Sequence, residues 1–131
     1  MVLSFQSLWT NYPKLLRPCD GPWQNQCAIR FSIALEKTGF GLAGYKHPVC
    51  KHGHARGADG LANYLWRNVR PPRLVTNKQS SITNKKGIVF FENLKGFRGG
   101  RGDHIDLWNK GITKTGDYFG ACQKVWFWEL L

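Results

Sequence analysis

The sequence predicts an α+β domain in which N-terminal helices pack on a small antiparallel sheet. Two stretches with helical spacing come first, three rich in β-branched and aromatic residues come after, and no segment recurs as a repeat. Elements segregated in this order favour an antiparallel sheet over the alternation that builds a parallel one. At 131 residues the chain has the length of one domain, so residues 1–131 are read as a single unit. Its 42% apolar content, with 6 Trp and 8 Phe, supplies a sizeable core, since chains of this length bury roughly two thirds of their unfolded surface. Intrinsic disorder and a fold held by disulfides alone are excluded.

After a lead-in carrying Pro18, Pro22 and Trp23, residues 27–37 read as a helix. Ala28, Phe31, Ala34 and Leu35 recur there at helical steps, and Gly39 stops the pattern. Residues 57–69 read as a second helix, with Ala58, Leu61, Ala62, Leu65 and Val69 on one stripe and Pro71-Pro72 blocking continuation. The polar, basic segment 73–86 is expected to be an exposed connection. Strands are expected at 87–91, 104–108 and 124–130 from their β-branched and aromatic content. The glycine-rich loop 95–102 lies between the first two of these strands and delivers Lys95, Arg98 and Arg101 beside His104.

Nineteen Lys and Arg against eight Asp and Glu give a formal charge of +11, so an acidic partner is expected: nucleic acid, an anionic envelope or an acidic protein. The longest apolar runs, such as Ile88-Val89-Phe90-Phe91, fall far short of the ~20 residues that cross a bilayer, and no membrane insertion is expected. The first thirteen residues hold neither a cation nor a continuous apolar stretch, so a cleaved signal peptide is not expected. In a chain made in a reducing cytoplasm, Cys19, Cys27, Cys50 and Cys122 are expected as free thiols.

Cys27 stands at the head of the first predicted helix, where backbone N–H groups and the helix dipole favour a thiolate. A nucleophilic thiolate needs an imidazole to exchange protons with the leaving group. Of His47, His52, His54 and His104, only His104 lies on a predicted strand, sharing a face with Asp106 and Trp108 while Ile105 and Leu107 take the other. That polar and aromatic face reads as a cleft wall. If Lys110-Gly111 is a two-residue turn, Asn109 pairs with Ile112 and His104 falls opposite Asp117, with Cβ atoms ~4.5–5.5 Å apart. A three-residue turn would send Asp117 to the far face and leave Asp106 as the nearest carboxylate. The first register is preferred, with Asp106 then bonding backbone or substrate.

His47, Cys50, His52 and His54 crowd eight residues instead of forming two separated ligand pairs, so no metal or other cofactor is expected. His54 and Arg56 lead into the second helix and would present cations to an anionic substrate. The charge, with His54 and His104, would also suit a small basic ribonuclease or a nucleic-acid-binding module. That alternative leaves Cys27 without a role.

The blocks Phe5-Gln6-Ser7-Leu8-Trp9-Thr10-Asn11-Tyr12-Pro13, Asn25-Gln26-Cys27-Ala28-Ile29-Arg30, Gly53-His54-Ala55-Arg56-Gly57-Ala58, His104-Ile105-Asp106-Leu107-Trp108-Asn109 and Val125-Trp126-Phe127-Trp128-Glu129 resemble, in order, the fourth family of type VI secretion amidase effectors. The resemblance implies a papain-like, NlpC-type fold and a peptidoglycan amidase that cuts the bond between D-glutamate and meso-diaminopimelate in the stem peptide. It implies a Cys-His-Asp triad, with Cys27 on the nucleophile block, His104 on the base block and Asp117 assigned on the following segment. The Cys27 N–H with the Gln26 or Gln24 amide would hold the oxyanion, and Arg56, Arg98 and Arg101 would meet stem-peptide carboxylates. It implies delivery by the type VI apparatus into the periplasm of a rival cell and a cognate periplasmic immunity protein. Nucleic acid is then not an expected partner.

Overall fold

In a computed structural model, residues 3–19, 21, 26–75, 79–94 and 103–131 are described. Three helices precede the sheet: α1 Phe5–Asn11, α2 Cys27–Lys37 and α3 Ala58–Asn68. The strands are β1 Arg73–Val75, β2 Lys86–Glu92, β3 His104–Asn109, β4 Ile112–Thr113 and β5 Lys124–Glu129, in the spatial order β1-β5-β2-β3-β4 with every neighbouring pair antiparallel.

The two predicted helices fall where their stripes placed them. α2 is covered on nearly all sides, so even its polar Ser32 is buried, and the Ser32 hydroxyl accepts the Ala55 N–H at 3.0 Å. Past α2, Gly39 takes φ 91 and the Phe40 N–H bonds back to the Leu35 carbonyl, the left-handed exit that glycine permits. Helix α1 was not expected; Ser4 caps it by accepting the Ser7 N–H, and Phe5 and Leu8 are its buried pair. Strand β1 lies within the segment expected as a connection and pairs with β5 through Leu74 and Trp126.

Side-chain alternation gives the sheet two covered faces. Ile88, Phe90, Ile105, Leu107 and Trp128 meet the helices through Phe31, Leu35, Leu61 and Leu65. Val89, Phe91, Trp108, Val125 and Phe127 meet Ile82, Leu94 and the half-buried Tyr118 and Phe119 instead. β2 is the central strand, and its Gly87 is required by close approach: a Cβ there would lie 1.9 Å from the Trp128 carbonyl oxygen. All four cysteines are buried, and none is joined in a disulfide.

The sheet brings β3 beside α2. Lys110 and Gly111 join β3 to β4 with φ 53 and 99, the two positive values of a two-residue hairpin turn. Asn109 therefore pairs with Ile112, as expected, but the ladder ends at Trp108 and Thr113.

Candidate active site

Cys27 is the first residue of α2 and is 3% exposed. Its thiol is a hydrogen-bond partner of the His104 imidazole and lies 3.9 Å from the Asp103 carbonyl oxygen. The helix N-cap, Gln26, supplies no side-chain cap to the first turn. Its fully buried amide is directed backwards, with Oε1 accepting the Cys19 N–H and Nε2 donating to the Cys19 carbonyl, each at 2.8 Å. The expectation that the Gln26 amide would hold an oxyanion is corrected on this ground: both ends are committed to the backbone of one residue, Cys19. Gln24, the other candidate, lies outside the described residues.

His104 opens β3, opposite Phe91, and is sandwiched between the Phe91 ring and the edge of Tyr118, with centroids at 6.1 and 4.9 Å. Its Nε2 lies 2.9 Å from Asp106 Oδ2 and 3.3 Å from Thr115 Oγ1. With Nε2 engaged there, Nδ1 is the nitrogen left for the thiol. Burial, the largest single effect on His104, favours the neutral ring. The hydrogen bonds from Asp106 and Cys27, with the charges of both, outweigh it and push the imidazole up to about 9.

Asp106 has no exposed surface and sits in a cradle of backbone donors. Oδ1 accepts from the Leu107 and Lys114 N–H groups at 2.8 and 3.2 Å. Oδ2 accepts from the Thr115 and Gly116 N–H groups at 2.9 and 3.1 Å and from the Thr115 hydroxyl at 2.8 Å. Burial alone would raise this carboxyl, but the His104 contact followed by the Thr115 bonds hold it below the usual carboxylate range.

The cradle explains why the sequence arithmetic misplaced the acid. The two-residue turn and its register are present, yet residues 114–116 leave the ladder to turn their N–H groups onto Asp106, so β4 never extends to residue 117. Asp117 is exposed, and its carboxylate accepts the Phe119 N–H at 3.0 Å. The carboxylate that meets His104 is Asp106, reached without the three-residue turn that the alternative invoked.

His104, Asp106 and Trp108 do share a face, but Trp108 is fully buried and its Nε1 donates to the Ile82 carbonyl at 2.8 Å. It is core, and its place on a cleft wall is corrected. His54 contacts Glu36 at 3.5 Å and Cys50 Sγ at 3.9 Å. Glu36 lies nine residues beyond Cys27 on α2, about 13 Å along the axis at ~1.5 Å per residue, which sets His54 apart from Cys27 and His104. The ribonuclease alternative, which used His54 with His104, loses its pair for the same reason. Arg56 lies on the same loop, its N–H bonded to the Pro48 carbonyl. Arg98 and Arg101 lie outside the described residues. Of the remaining histidines, His47 packs against the Tyr45 ring, and the His52 N–H points to Cys50 Sγ. Among the described residues no three His, Cys, Asp or Glu converge as metal ligands.

The surroundings that sequence reasoning missed are Thr115, Arg30, Tyr12 and Tyr118. Arg30, 4% exposed, is one helical turn beyond Cys27. It donates from Nε to the Tyr12 hydroxyl at 3.3 Å, from one terminal nitrogen to the Leu16 carbonyl, and from the other towards Thr115 Oγ1 at 3.5 Å. With Tyr12, Lys114 and Thr115 it lines a cavity of about 450 Å³. A lone arginine in a helix apolar at seven of its first nine positions, with Ser32 the other exception, was the available signal.

Residues 23–128 match the sequence profile of a family described as type VI secretion system (T6SS), amidase effector protein 4, Tae4. No curated protein sequence matches the chain. Among solved structures, the chain is similar to the Tae4 of the Tae4-Tai4 effector-immunity complex from Salmonella Typhimurium, with 26% identity, 98% of each chain covered and a TM-score of 0.80. A Salmonella typhimurium Tae4 in complex with the immunity protein Tai4 from Enterobacter cloacae gives 25%, 98% of this chain and 99% of that one, and 0.75. Tae4 from Enterobacter cloacae, at 18% identity, covers 100% of this chain and 98% of its own with a TM-score of 0.77, a likeness of fold.

Proposed function

Because the chain belongs to the Tae4 family of type VI secretion amidase effectors, we propose that it is a cysteine amidase that cuts the D-glutamyl–meso-diaminopimelate bond of peptidoglycan stem peptides. The observation that carries this reading is the buried line from the Cys27 thiol through His104 to Asp106, with 2.9 Å between the last two. Nucleophile, base and orienting carboxylate stand in the order that acyl transfer needs.

The chemistry follows from the charges. His104, held up to about 9, is the base that takes the Cys27 thiol proton, and Asp106 stabilises the imidazolium so formed. The Cys27 sulfur attacks the γ-carbonyl carbon of D-glutamate, and the carbonyl electrons move to an oxyanion. The Cys27 N–H at the positive end of α2 is the oxyanion donor. His104 then passes its Nδ1 proton to the diaminopimelate nitrogen as the C–N bond breaks, leaving a thioester. Water, losing a proton to the same nitrogen, adds to the thioester and releases the γ-carboxylate and the thiol(ate). Asp106 keeps the proton on Nε2 throughout.

The type VI apparatus delivers the protein to the periplasm of a rival cell, where stem peptides lie. A net charge of +11 draws it to that anionic wall, and Arg56, Arg98 and Arg101 are the cations assigned to its carboxylates. A cognate immunity protein protects the producing cell, as the Tai4 complexes of the Salmonella relatives suggest. No helix among the described residues is long and apolar enough to cross a membrane.

The test is mass spectrometry of purified muropeptides after incubation with the protein. A new diaminopimelate amine and a new D-glutamate γ-carboxyl are expected, and both should vanish with Cys27→Ala. Cleavage at another bond, or cleavage that survives Cys27→Ala, would overturn the reading.

A further inference from the structure

The buried guanidinium of Arg30 and the hydroxyl of Thr115 have no part in the mechanism above, yet they touch it. Thr115 Oγ1 closes a triangle with the two members of the catalytic ion pair: 2.8 Å to Asp106 Oδ2, 3.3 Å to His104 Nε2, with 2.9 Å between those two atoms. Behind the triangle stands Arg30, 3.5 Å from the same oxygen.

A hydroxyl has one proton and two lone pairs. Sent to Asp106 Oδ2, that proton leaves one lone pair to share the His104 Nε2–H with Oδ2 and the other for an Arg30 N–H. Every partner then has a complementary group. Sent to Nε2 instead, it would meet a nitrogen that already carries a proton in imidazolium, and Oδ2 would lose a donor. Only the first arrangement satisfies all four groups, and it leaves Nδ1 turned to the thiol.

We propose that Thr115 is a positioning residue: its hydroxyl fixes Asp106 Oδ2 against the Nε2–H of His104, and Arg30 ties that hydroxyl to α2, the helix that carries Cys27. The route closes on itself, from Cys27 to His104, to Asp106, to Thr115, to Arg30 and along one turn of α2 back to Cys27. Nucleophile and base are thus registered from both ends of the ion pair. The assignment rests on the amidase reading for its catalytic consequence, but not for its geometry.

Thr115 is exposed while Asp106 and Arg30 are buried, so the threonine can be changed without opening the core. The ionisable groups around Asp106 are His104 on its own strand, Cys27 and Arg30 on α2, Tyr12 after α1, and Lys114 and Tyr118 beyond β4. Of these, His104 and Arg30 touch the Thr115 hydroxyl in the described contacts.

The experiment compares the full-length wild type with Thr115→Val, Thr115→Ser and Thr115→Ala, measuring muropeptide hydrolysis and the Asp106 carboxyl titration by carbon-13 NMR. Thr115→Val is expected to lower kcat about tenfold, the worth of one hydrogen bond, with KM unchanged. Loss of a donor to the carboxylate should move the Asp106 titration upward. Thr115→Ser should restore both, and Thr115→Ala reads the same quantities if the valine variant does not fold. An unmoved titration, a wild-type kcat in Thr115→Val, or a serine variant that recovers neither quantity would overturn the proposal. If the wild type cleaves no muropeptide, the amidase reading fails, while the Asp106 titration in the variants still decides the role of Thr115.

Discussion

Asp106 and His104 are neighbours two residues apart on one strand, and the carboxylate of the first meets Nε2 of the second at 2.9 Å without any carboxylate from the opposite arm of the hairpin. What the opposite arm supplies is donors: the N–H groups of residues 114–116 and the Thr115 hydroxyl close on the Asp106 carboxylate and hold its orientation.

This relationship sets the order of two conservative substitutions. Asp106→Asn removes the charge that stabilises the imidazolium and turns an acceptor-only group into one that also donates, in a site already full of donors. Turnover is expected to fall by about 10²–10⁴-fold, as in other triads that lose their carboxylate. Asp117→Asn changes an exposed turn acceptor and should stay within about twofold of wild type. Steady-state hydrolysis of muropeptides by the two variants checks the order, and the reverse ranking would return the triad to Asp117.

The error over the acid shows what a sequence of this kind discloses. Cys27 and His104 were legible because each stands at the start of an element long enough to show its period, an eleven-residue helix and a six-residue strand. The helix α1, with seven residues, and the strands β1 and β4, with three and two, are too short for a period to emerge. The Asp117 assignment assumed that pairing begun at a correct turn would continue outward. What ended it was a set of backbone N–H groups seeking a buried carboxylate, and backbone donors leave no mark in the side-chain sequence. Trp108 failed for a related reason: alternation placed it on the right face but could not tell a cleft wall from a face covered by the chain around Ile82 and Phe119.

The raised His104 value carries a stability consequence with a definite sign. A group whose folded-state value stands above its ordinary 6.5 stabilises the fold fully below that pH, and the contribution is lost as pH rises through about 9. The thermal midpoint of the wild type is therefore expected to fall between pH 6.5 and pH 9, and the decline should shrink in His104→Asn. Because Asp106 and Cys27 both favour the protonated ring, Asp106→Asn and Cys27→Ala should each move the His104 NMR titration downward. A titration that stays near 9 in both variants would contradict the assigned causes.

Gly87 offers a test of the scaffold independent of the chemistry. A methyl group there meets the Trp128 carbonyl oxygen at 1.9 Å, and backbone cannot move aside without breaking the β2–β5 register that pairs Gly87 with Glu129. Gly87→Ala is expected to cost about 1–3 kcal/mol or more of stability, in the range of overpacked cores. Denaturant unfolding measures this. Since Gly87 pairs with Trp108 at the far end of β3 from His104, the fraction that remains folded at low temperature should keep wild-type turnover per active site.

Gln26 separates two roles that a residue next to a nucleophile can have. If its amide held the oxyanion, removing it would lower kcat by about 10²–10³-fold and leave stability alone, the usual signature of such a donor. In this fold the amide instead clasps the Cys19 backbone at both ends, inside a site with no solvent to replace it. Gln26→Ala should therefore leave a buried N–H and a buried carbonyl unpaired, and each costs about 1–3 kcal/mol. Gln26→Glu is expected to be worse for one identifiable reason, since a carboxylate can accept from the Cys19 N–H but only repels the Cys19 carbonyl. The expected pattern is a clear drop in thermal midpoint in both variants, larger for glutamate, with turnover per folded molecule far less affected than an oxyanion donor would require. Unfolding curves beside active-site titration distinguish the cases: unchanged stability with a loss of kcat of about 10²-fold or more would move Gln26 from the scaffold into the reaction.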